Sequence, residues 1–267
     1  MKISILYSCT EKYFPYLKLS LNSIPVFSSL EIVVVVNQGL KKRCKSLLKG
    51  QLLPGLKIVE TPVSMSNMMK AFCLNFAAKN AEGDYLLISD ADLLYPPCFW
   101  SLLLNALPID KKTVLHFFVG RLNHKITQEI MAGKISWPDI YQKYEGRMIF
   151  YPPRSLLKRA LLRISRALSR LANYRVRFYN SQLIYDEIYG SINPCIYHKE
   201  FFFDLGGYDE KFIGWGGEDD DLENRTIRAG GINKRIPIII AHLWHPRIMD
   251  FPNYISGSSV YGSKKLS

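Results

Sequence analysis

The chain has 267 residues, 48% of them hydrophobic and 13% aromatic, which is enough to bury a sizeable core in one large domain or two small ones. Its five cysteines are scattered without CxxC spacing, which argues against a disulfide framework or a thiolate zinc site and indicates a reducing compartment. The formal net charge is +12, but the excess is local, because residues 154–177 hold eight basic side chains and no acidic one. No run of about 18 apolar residues occurs, so no transmembrane helix is expected and the protein should be cytoplasmic or peripheral on a membrane.

Short apolar, β-branched runs alternate with helical patterns along most of the chain. The predicted strands are Ile3–Tyr7, Glu31–Val36, Leu56–Val59, Tyr85–Ser89, Thr113–Val119 and Ile236–Ala241. The predicted helices are Tyr13–Ser23, Lys41–Lys49 and Asn67–Asn80. The N-terminal run thus predicts a first strand rather than a signal peptide. Such alternation is typical of an α/β fold with a mostly parallel central sheet flanked by helices, in which ligands bind at the carboxyl ends of the strands.

A basic, helical and tyrosine-rich segment, about residues 121–180, interrupts this alternation and predicts an insertion in a single domain that spans residues 1–252. The polar residues 253–267 predict a flexible tail. Between residues 154 and 177, apolar side chains recur every three or four positions, so they share one helix face opposite a row of arginines. Two main interpretations stay open: a helix on an anionic membrane surface, or a helix docked on the core with a solvated basic face. Binding of an anionic acceptor or of a nucleic acid is a weaker third option. No nucleic-acid motif is present, so no nucleic-acid partner is expected.

Two aspartates follow the predicted strand Tyr85–Ser89 in the sequence Asp90-Ala91-Asp92. In extended backbone, residues two apart point to the same side, so Asp90 and Asp92 can aim together at one cation. Carboxylate oxygens suit Mg²⁺ or Mn²⁺, and substrate phosphates would complete the coordination shell. A solvated turn is the alternative, because aspartate is common in turns. The position directly after a buried strand favours the metal interpretation.

The sequence GWGGEDDD occupies residues 214–221 and leads into a predicted helix that ends at Gly230–Gly231. Its glycines permit unusual backbone angles and the close approach of a ligand. The helix dipole, and an i,i+4 pair between Asp221 and Arg225, account for one or two of the four acids. Crowded carboxylates raise one another's proton affinity, which suits a general base. Trp215 beside the glycines can cover a sugar face and act as a lid.

Two histidines, His242 and His245, flank the end of the predicted strand Ile236–Ala241. A neutral imidazole is a common ligand of transition metals. Either histidine alone is more often a packed or surface residue. A metal held by two aspartates often needs a third protein ligand, however, and a histidine ligand favours Mn²⁺ over Mg²⁺.

Together these motifs resemble those of the GT-A glycosyltransferases. The DAD sequence is similar to the family's metal and nucleotide-sugar motif. The run FDLGGYDEKFIGWGGEDDDLENR resembles the β-1,4-galactosyltransferase and bacterial chondroitin-polymerase type and, less closely, the polypeptide N-acetylgalactosaminyltransferases. The resemblance covers roughly residues 2–120 and 190–247, not the insertion between them. It implies the GT-A fold, a Rossmann-like nucleotide-sugar-binding fold, and a hexosyltransferase that uses a UDP-sugar.

The resemblance also implies a role for individual residues. The ligands of an Mn²⁺ ion (or Mg²⁺) would be Asp90, Asp92 and His242, with His245 as the second choice. The catalytic base would be Asp219, with Glu218 beside it. The acceptor and lid residues would be Trp215, Gly216, Gly217 and Asp220. The donor-binding residues would be Thr10, Asn37, Asn67, Lys70, Asp90 and Ala91, although Asn37 stands where many relatives have aspartate.

The implied reaction is transfer of a hexose or N-acetylhexosamine from a UDP-sugar to a glycan or lipid-linked glycan acceptor. Asp219 favours inversion, because retaining relatives carry asparagine at the matching position. A retaining GalNAc-type transferase, a non-catalytic nucleotide- or glycan-binding module and a metal-dependent hydrolase stay open as alternatives. The Golgi relatives have a membrane anchor and disulfides that this sequence does not show. The expectation is therefore a bacterial-type cytoplasmic enzyme of polysaccharide biosynthesis, peripheral on the inner face of the membrane.

Overall fold

The computed structural model of the protein describes residues 1–50, 53, 55–64, 69–148, 185–214 and 216–246. Several of the residues singled out from the sequence lie outside this part of the chain. They are Asn67, Trp215, the basic residues 154–177 and the tail 253–267.

The described residues form one eight-stranded sheet, and most of its strands are connected along the chain by helices. The strands are β1 (Ile3–Ser8), β2 (Leu30–Val36), β3 (Leu56–Glu60), β4 (Tyr85–Ser89), β5 (Leu93–Leu94), β6 (Thr113–Leu122), β7 (Tyr185–His198) and β8 (Ile232–His242). The helices are α1 (Phe14–Asn22), α2 (Lys41–Leu47), α3 (Lys70–Asn80), α4 (Pro97–Ala106), α5 (His124–Met131), α6 (Trp137–Met148), α7 (Lys199–Asp204) and α8 (Glu218–Arg228). A short 3₁₀ helix, Glu11–Tyr13, precedes α1.

The sheet is mixed rather than mostly parallel. Its strand order is β3-β2-β1-β4-β7-β6-β8-β5, and the first four strands are parallel to one another. β7 runs antiparallel to both β4 and β6, β8 is parallel to β6, and β5 is antiparallel to β8. The expected parallel arrangement thus holds for β1 to β4, and the antiparallel pairs all involve the later strands of the sheet.

Side chains of successive strand residues pack on opposite faces of the sheet, which gives the protein a core on each side. On one face, Ile3, Ile5 and Leu87 belong to a cluster that includes residues of α1, α2 and α4. On the other face, Leu86 and Ile88 pack with residues of α3, α7 and α8. Burial on both faces explains why β1, β2 and β4 are mostly apolar, with every residue of β2 buried.

Most predicted elements are confirmed, but β7 was not predicted from the sequence. Its polar composition and Pro194 hide it, because proline cannot donate a ladder hydrogen bond. The pairing of β7 with β6 is interrupted around this proline: it extends to Gly190 and resumes at Cys195. In the region predicted to be an insertion, α5 and α6 are helical as expected, whereas β7 begins only a few residues after it. No helix in the described part of the chain combines the length and apolar character that a membrane span requires.

Candidate functional site

The residues singled out from the sequence gather where the parallel strands end. Thr10 lies just beyond β1, Asn37 follows β2, and Asp90 follows β4. Because β1, β2 and β4 are parallel neighbours, these ends lie along the same edge of the sheet. Asn37 Oδ1 accepts hydrogen bonds from the Gln38 amide (2.9 Å) and the Thr61 hydroxyl (3.3 Å).

Asp92 and the two histidines form one compact cluster. Leu93 of β5 pairs with His242 of β8, and the Leu243 amide donates to the Asp92 carbonyl (2.9 Å), which brings the two segments together. Asp92 Oδ2 lies 3.1 Å from His245 Nε2, and Oδ1 lies 3.7 Å from His242 Nε2. One potential ligand atom from each residue falls within 4.8 Å of the others. The strand pairing therefore assembles a candidate metal site from residues about 150 positions apart.

The polar atoms of this cluster fit a bound cation. Asp92 Oδ1 and His242 Nδ1 are buried and have no hydrogen-bond partner among the described residues. His245 Nδ1 lies 2.8 Å from the Pro246 carbonyl, a contact that places a proton on Nδ1 and directs Nε2 toward Asp92. One carboxylate and two imidazoles form a donor set suited to Mn²⁺ and similar transition metals.

The electrostatics of the cluster also favour positive charge. Burial by itself raises the pKa of Asp92, but the charges of His242 and His245 and the bond from His245 lower it to about 2. Burial lowers the pKa of His245, and the hydrogen bond and charge of Asp92 outweigh this effect and raise it. The Asp92 carboxylate thus favours a proton on His245 Nε2, and a metal ion would take the place of that proton.

Asp90 faces a different partner from Asp92. The Leu93 amide lies 3.4 Å from the Asp90 carbonyl, so residues 90–93 form a turn rather than the extended backbone assumed from the sequence. Asp92 is directed at the histidines, whereas Asp90 Oδ1 lies 3.2 Å from Lys70 Nζ. Ala91, between them, is buried. The joint binding of one metal by both aspartates stays a prediction.

Lys70 is the link between the DAD turn and the acidic helix α8. Its side chain is only 6% exposed, and Nζ lies 3.2 Å from Asp90 Oδ1, 3.4 Å from Glu218 Oε1 and 3.0 Å from Asp219 Oδ2. Burial lowers the pKa of Lys70, but the three carboxylates outweigh burial and raise it, so the ammonium stays charged. Burial raises the pKa of both Asp90 and Glu218, and the Lys70 charge opposes that rise. One fixed cation therefore holds the two acidic motifs together.

The glycines of residues 214–217 shape the entry to α8. Gly214, Gly216 and Gly217 all have positive φ (96°, 99° and 90°), and Gly217 is the N-cap of the helix. A Cβ atom on Gly217 would lie 2.9 Å from Phe212 Cε1, whereas one on Gly216 would meet open space. Met69, immediately before α3, forms a parallel bridge with Gly214, which brings the starts of α3 and α8 side by side.

The four acids in the first turn of α8 have different surroundings. Glu218 is buried against Lys70, and Asp219 is 23% exposed. Asp220 is exposed to solvent. Asp221 pairs with Arg225 one turn later at 2.8 Å, as the i,i+4 spacing predicts. Only the first two acids are therefore held inside the site.

Two donors to Asp219 were missed by the sequence analysis. Asn193 Nδ2 and the Tyr208 hydroxyl both donate to Asp219 Oδ1, at 2.7 and 3.0 Å. Asn193 lies on the unpredicted strand β7, and no motif marked it. Tyr208 stands in the GGYDE sequence, where an aromatic residue after two glycines gives no indication of its partner.

Comparisons with known proteins found solved structures of similar fold and a family model that matches the region around helix α8. A family model described as the N-terminal domain of galactosyltransferase matches residues 172–247, which include Asp219, His242 and His245. One similar solved structure is the mannosyltransferase PcManGT from Pyrobaculum calidifontis in complex with GDP-Man and Mn²⁺. It is 16% identical, with a TM-score of 0.54, and the match covers 92% of this chain and 58% of PcManGT.

Two further structures are similar to the same extent. S. aureus TarS 1-349 in complex with UDP-GlcNAc is 18% identical, with a TM-score of 0.54, and the match covers 98% of this chain and 64% of the TarS chain. GalNAc-T7 with UDP, GalNAc and Mn²⁺ is 15% identical, with a TM-score of 0.55, and the match covers 92% of this chain and 44% of GalNAc-T7. The chain thus spans less than two thirds of each of these proteins. At this level of identity the likeness shows the fold, and the predicted GT-A glycosyltransferase fold is confirmed, with a mixed sheet.

We expect Lys70→Met to lower the free energy of unfolding by about 3–5 kcal/mol near neutral pH, because three carboxylates lose their buried counter-charge. The loss should shrink as the pH falls, since Asp90 and Glu218, whose pKa values are already raised, take up protons and repel each other less. Urea unfolding at several pH values measures this. Lys79→Met, on the exposed face of the same helix, is the matched control and should change little. Equal effects of the two variants would contradict the central role of Lys70.

We expect Asp92→Asn and His245→Gln each to weaken Mn²⁺ binding at least about tenfold, since each removes one donor of the cluster. Calorimetric titration with MnCl₂ in the presence of UDP measures the affinity. His198→Gln is the control, because His198 pairs with Tyr85 at the opposite end of β4. Unchanged Mn²⁺ affinity in both cluster variants would place the metal elsewhere.

Proposed function

We propose that the protein is a metal-dependent glycosyltransferase that moves a hexose or N-acetylhexosamine from a UDP-sugar to a glycan or lipid-linked glycan acceptor, with inversion. The observation that carries this proposal is the contact of Lys70 with both acidic motifs. It brings the turn that carries Asp90 and Asp92 together with the partly exposed Asp219 at the edge of the sheet where ligands bind in α/β folds.

Asp92, His242 and His245 would hold the metal, for which the chemistry of their donor atoms is suited. A bound Mn²⁺ ion supplies positive charge that stabilises the diphosphate of the departing nucleotide. Asp90, at the same turn, is the further ligand that the DAD motif implies. PcManGT and GalNAc-T7, which share the fold, were both crystallised with Mn²⁺.

The donor would lie along the carboxyl ends of the parallel strands. Thr10 after β1 and Asn37 after β2 would contact the uridine, and Lys70 and Ala91 would lie near the phosphates and the sugar. The similar structures named above contain GDP-Man, UDP-GlcNAc, or UDP together with GalNAc, which are nucleotide sugars or parts of one. The choice of a UDP-sugar for this chain comes from its resemblance to the galactosyltransferase type.

Asp219 would be the general base. As the acceptor hydroxyl oxygen attacks the anomeric carbon, Asp219 takes its proton and the bond from that carbon to the UDP oxygen breaks. A single displacement of this kind inverts the anomeric configuration, so a UDP-α-sugar would give a β-linkage. Asp220, exposed at the rim of the site, and Glu218, behind Asp219 against Lys70, would help to hold donor or acceptor hydroxyls.

Residues 214–217 would form the lid over the bound sugars. Gly216 has a positive φ, which glycine adopts without strain, and open space where a Cβ atom would lie, so a glycine suits a hinge at this position. Trp215 would then cover the donor and the acceptor. A lipid-linked acceptor would bring the protein to the inner face of the membrane, a setting to which the basic residues 154–177 are suited by sequence.

A panel of UDP-sugars tests the proposal directly. At saturating UDP and Mn²⁺ we expect the melting temperature to rise by several degrees, because a ligand at about a hundred times its dissociation constant stabilises by about 2.7 kcal/mol. One or two UDP-sugars should then release UDP only when an acceptor saccharide is present. Binding of UDP without any release would favour a non-catalytic module, and acceptor-independent release would favour a hydrolase. An α-linked product, identified by NMR, would indicate retention.

We expect Asp219→Asn to lower kcat by about 10²–10⁴-fold while UDP affinity stays nearly unchanged, because the variant removes the base and keeps the shape of the side chain. Initial-rate kinetics and calorimetry measure the two quantities. Asp221→Asn, the same change two residues later on the same helix, is the control and should keep normal activity, since Asp221 pairs with Arg225 outside the site. Transfer by Asp219→Asn at the wild-type rate would refute the assignment of the base.

A further inference from the structure

The carboxylate of Asp219 receives its hydrogen bonds unevenly. Oδ1 accepts two, from Asn193 Nδ2 at 2.7 Å and from the Tyr208 hydroxyl at 3.0 Å. Oδ2 accepts one among the described residues, from Lys70 Nζ at 3.0 Å. A carboxylate oxygen has two lone pairs, so Oδ1 is saturated and Oδ2 keeps one lone pair free.

We propose that Asn193 and Tyr208 are positioning residues that occupy Oδ1 of Asp219 and thereby make Oδ2 the atom that takes the acceptor's proton. This inference rests on the proposed function, because it assigns an atom and an orientation to the proposed base. In the step itself, the acceptor O–H bond breaks, its proton moves to Oδ2, and the oxygen's electron pair forms the new bond to the anomeric carbon. Asn193 and Tyr208 keep their protons throughout.

The burial of the three donors sets the direction from which the acceptor can approach. The residues Asn193 and Tyr208 are only 4% and 2% exposed and the side chain of Lys70 is 6% exposed, whereas the side chain of Asp219 is 23% exposed. The donors therefore approach Asp219 from the protein interior, and an acceptor can reach only the part of the side chain that they leave uncovered. Because each donor fixes one lone pair, the carboxylate cannot rotate to exchange its two oxygens without breaking all three bonds.

Tyr208 is itself held rigidly. Its amide donates to Asn75 Oδ1 (2.8 Å), and Asn75 Nδ2 donates back to the Tyr208 carbonyl (2.9 Å), so helix α3 clamps the backbone on both sides. The preceding Gly207 has φ of 68°, and a Cβ atom there would lie 2.5 Å from Asn75 Oδ1. The glycine is thus required for the clamp to close. Burial raises the pKa of the Tyr208 phenol, so the hydroxyl remains a donor.

Asn193 is oriented by a neighbour on its own strand. The Cys195 thiol donates to Asn193 Oδ1 at 3.1 Å, which leaves the amide nitrogen to face Asp219. A reversed amide would set its oxygen against the Asp219 carboxylate, which is unfavourable. The donor role of Asn193 therefore follows from the contacts on both sides of its side chain.

The test is Tyr208→Phe, which deletes one hydroxyl and keeps the ring packed against Phe202. We expect kcat for sugar transfer to fall about 10- to 100-fold through loss of orientation, while the KM for the UDP-sugar and the affinity for UDP with MnCl₂ change less than about twofold. In the Asp219→Asn background the same substitution should have almost no further effect on the residual rate, because Tyr208 acts through Asp219. Asn193→Ala should give the same pattern.

The matched control is Tyr197→Phe. Tyr197 is equally buried, lies in the same core cluster and bonds through its hydroxyl to the Thr226 hydroxyl at 3.0 Å, away from Asp219. It should lower stability without lowering kcat. Wild-type kcat in a folded Tyr208→Phe, or an equal loss in the Asp219→Asn background, would overturn the inference. If Tyr208→Phe does not fold, the same two measurements on Asn193→Ala decide. Failure of the wild-type protein to transfer any sugar would instead reject the proposed function, and the inference with it.

Discussion

The site depends on a single buried ammonium group. Lys70 Nζ lies within 3.4 Å of carboxylate oxygens from Asp90, Glu218 and Asp219, which reach it from two separate parts of the chain. Without that charge, the three carboxylates, of which Glu218 is buried and the other two are partly exposed, would repel one another, and the repulsion would favour protonation of one of them. Because Lys70 is the first residue of α3, the helix that packs on the central strands, the counter-charge is fixed relative to the sheet.

A second positive charge is left to be supplied from solution. The Asp92 carboxylate and two histidines lie beside the Lys70 cluster, with a buried carboxylate oxygen that has no hydrogen-bond partner among the described residues. The acidic groups thus fall into two sets, one neutralised by the buried lysine and one with donor atoms suited to a metal ion. In the proposed reaction, the lysine would hold Asp219 in place and the metal ion would bind the nucleotide diphosphate.

The antiparallel half of the sheet is what completes the site. The parallel strands β1, β2 and β4 supply the edge on which donors bind in this fold, but they contribute only Asp90 and Asp92 to the charged groups. β7 brings Asn193 against Asp219, and β8, paired with β5, carries the histidines to Asp92. An entirely parallel sheet would have left Asp92 and Asp219 without these partners.

Local features could be predicted from the amino-acid sequence. Apolar runs predicted β1, β2 and β4, because strands buried on both faces are mostly apolar, and the DAD and GWGGEDDD motifs identified the acids and the start of α8. Which of these groups meet depends on the three-dimensional fold. Lys70 and Asp219 are 149 residues apart, and Asn193 lies on a strand whose polar composition hid it. Such contacts depend on strand order and register, which are set by long-range pairing and burial and leave no periodic pattern in the chain.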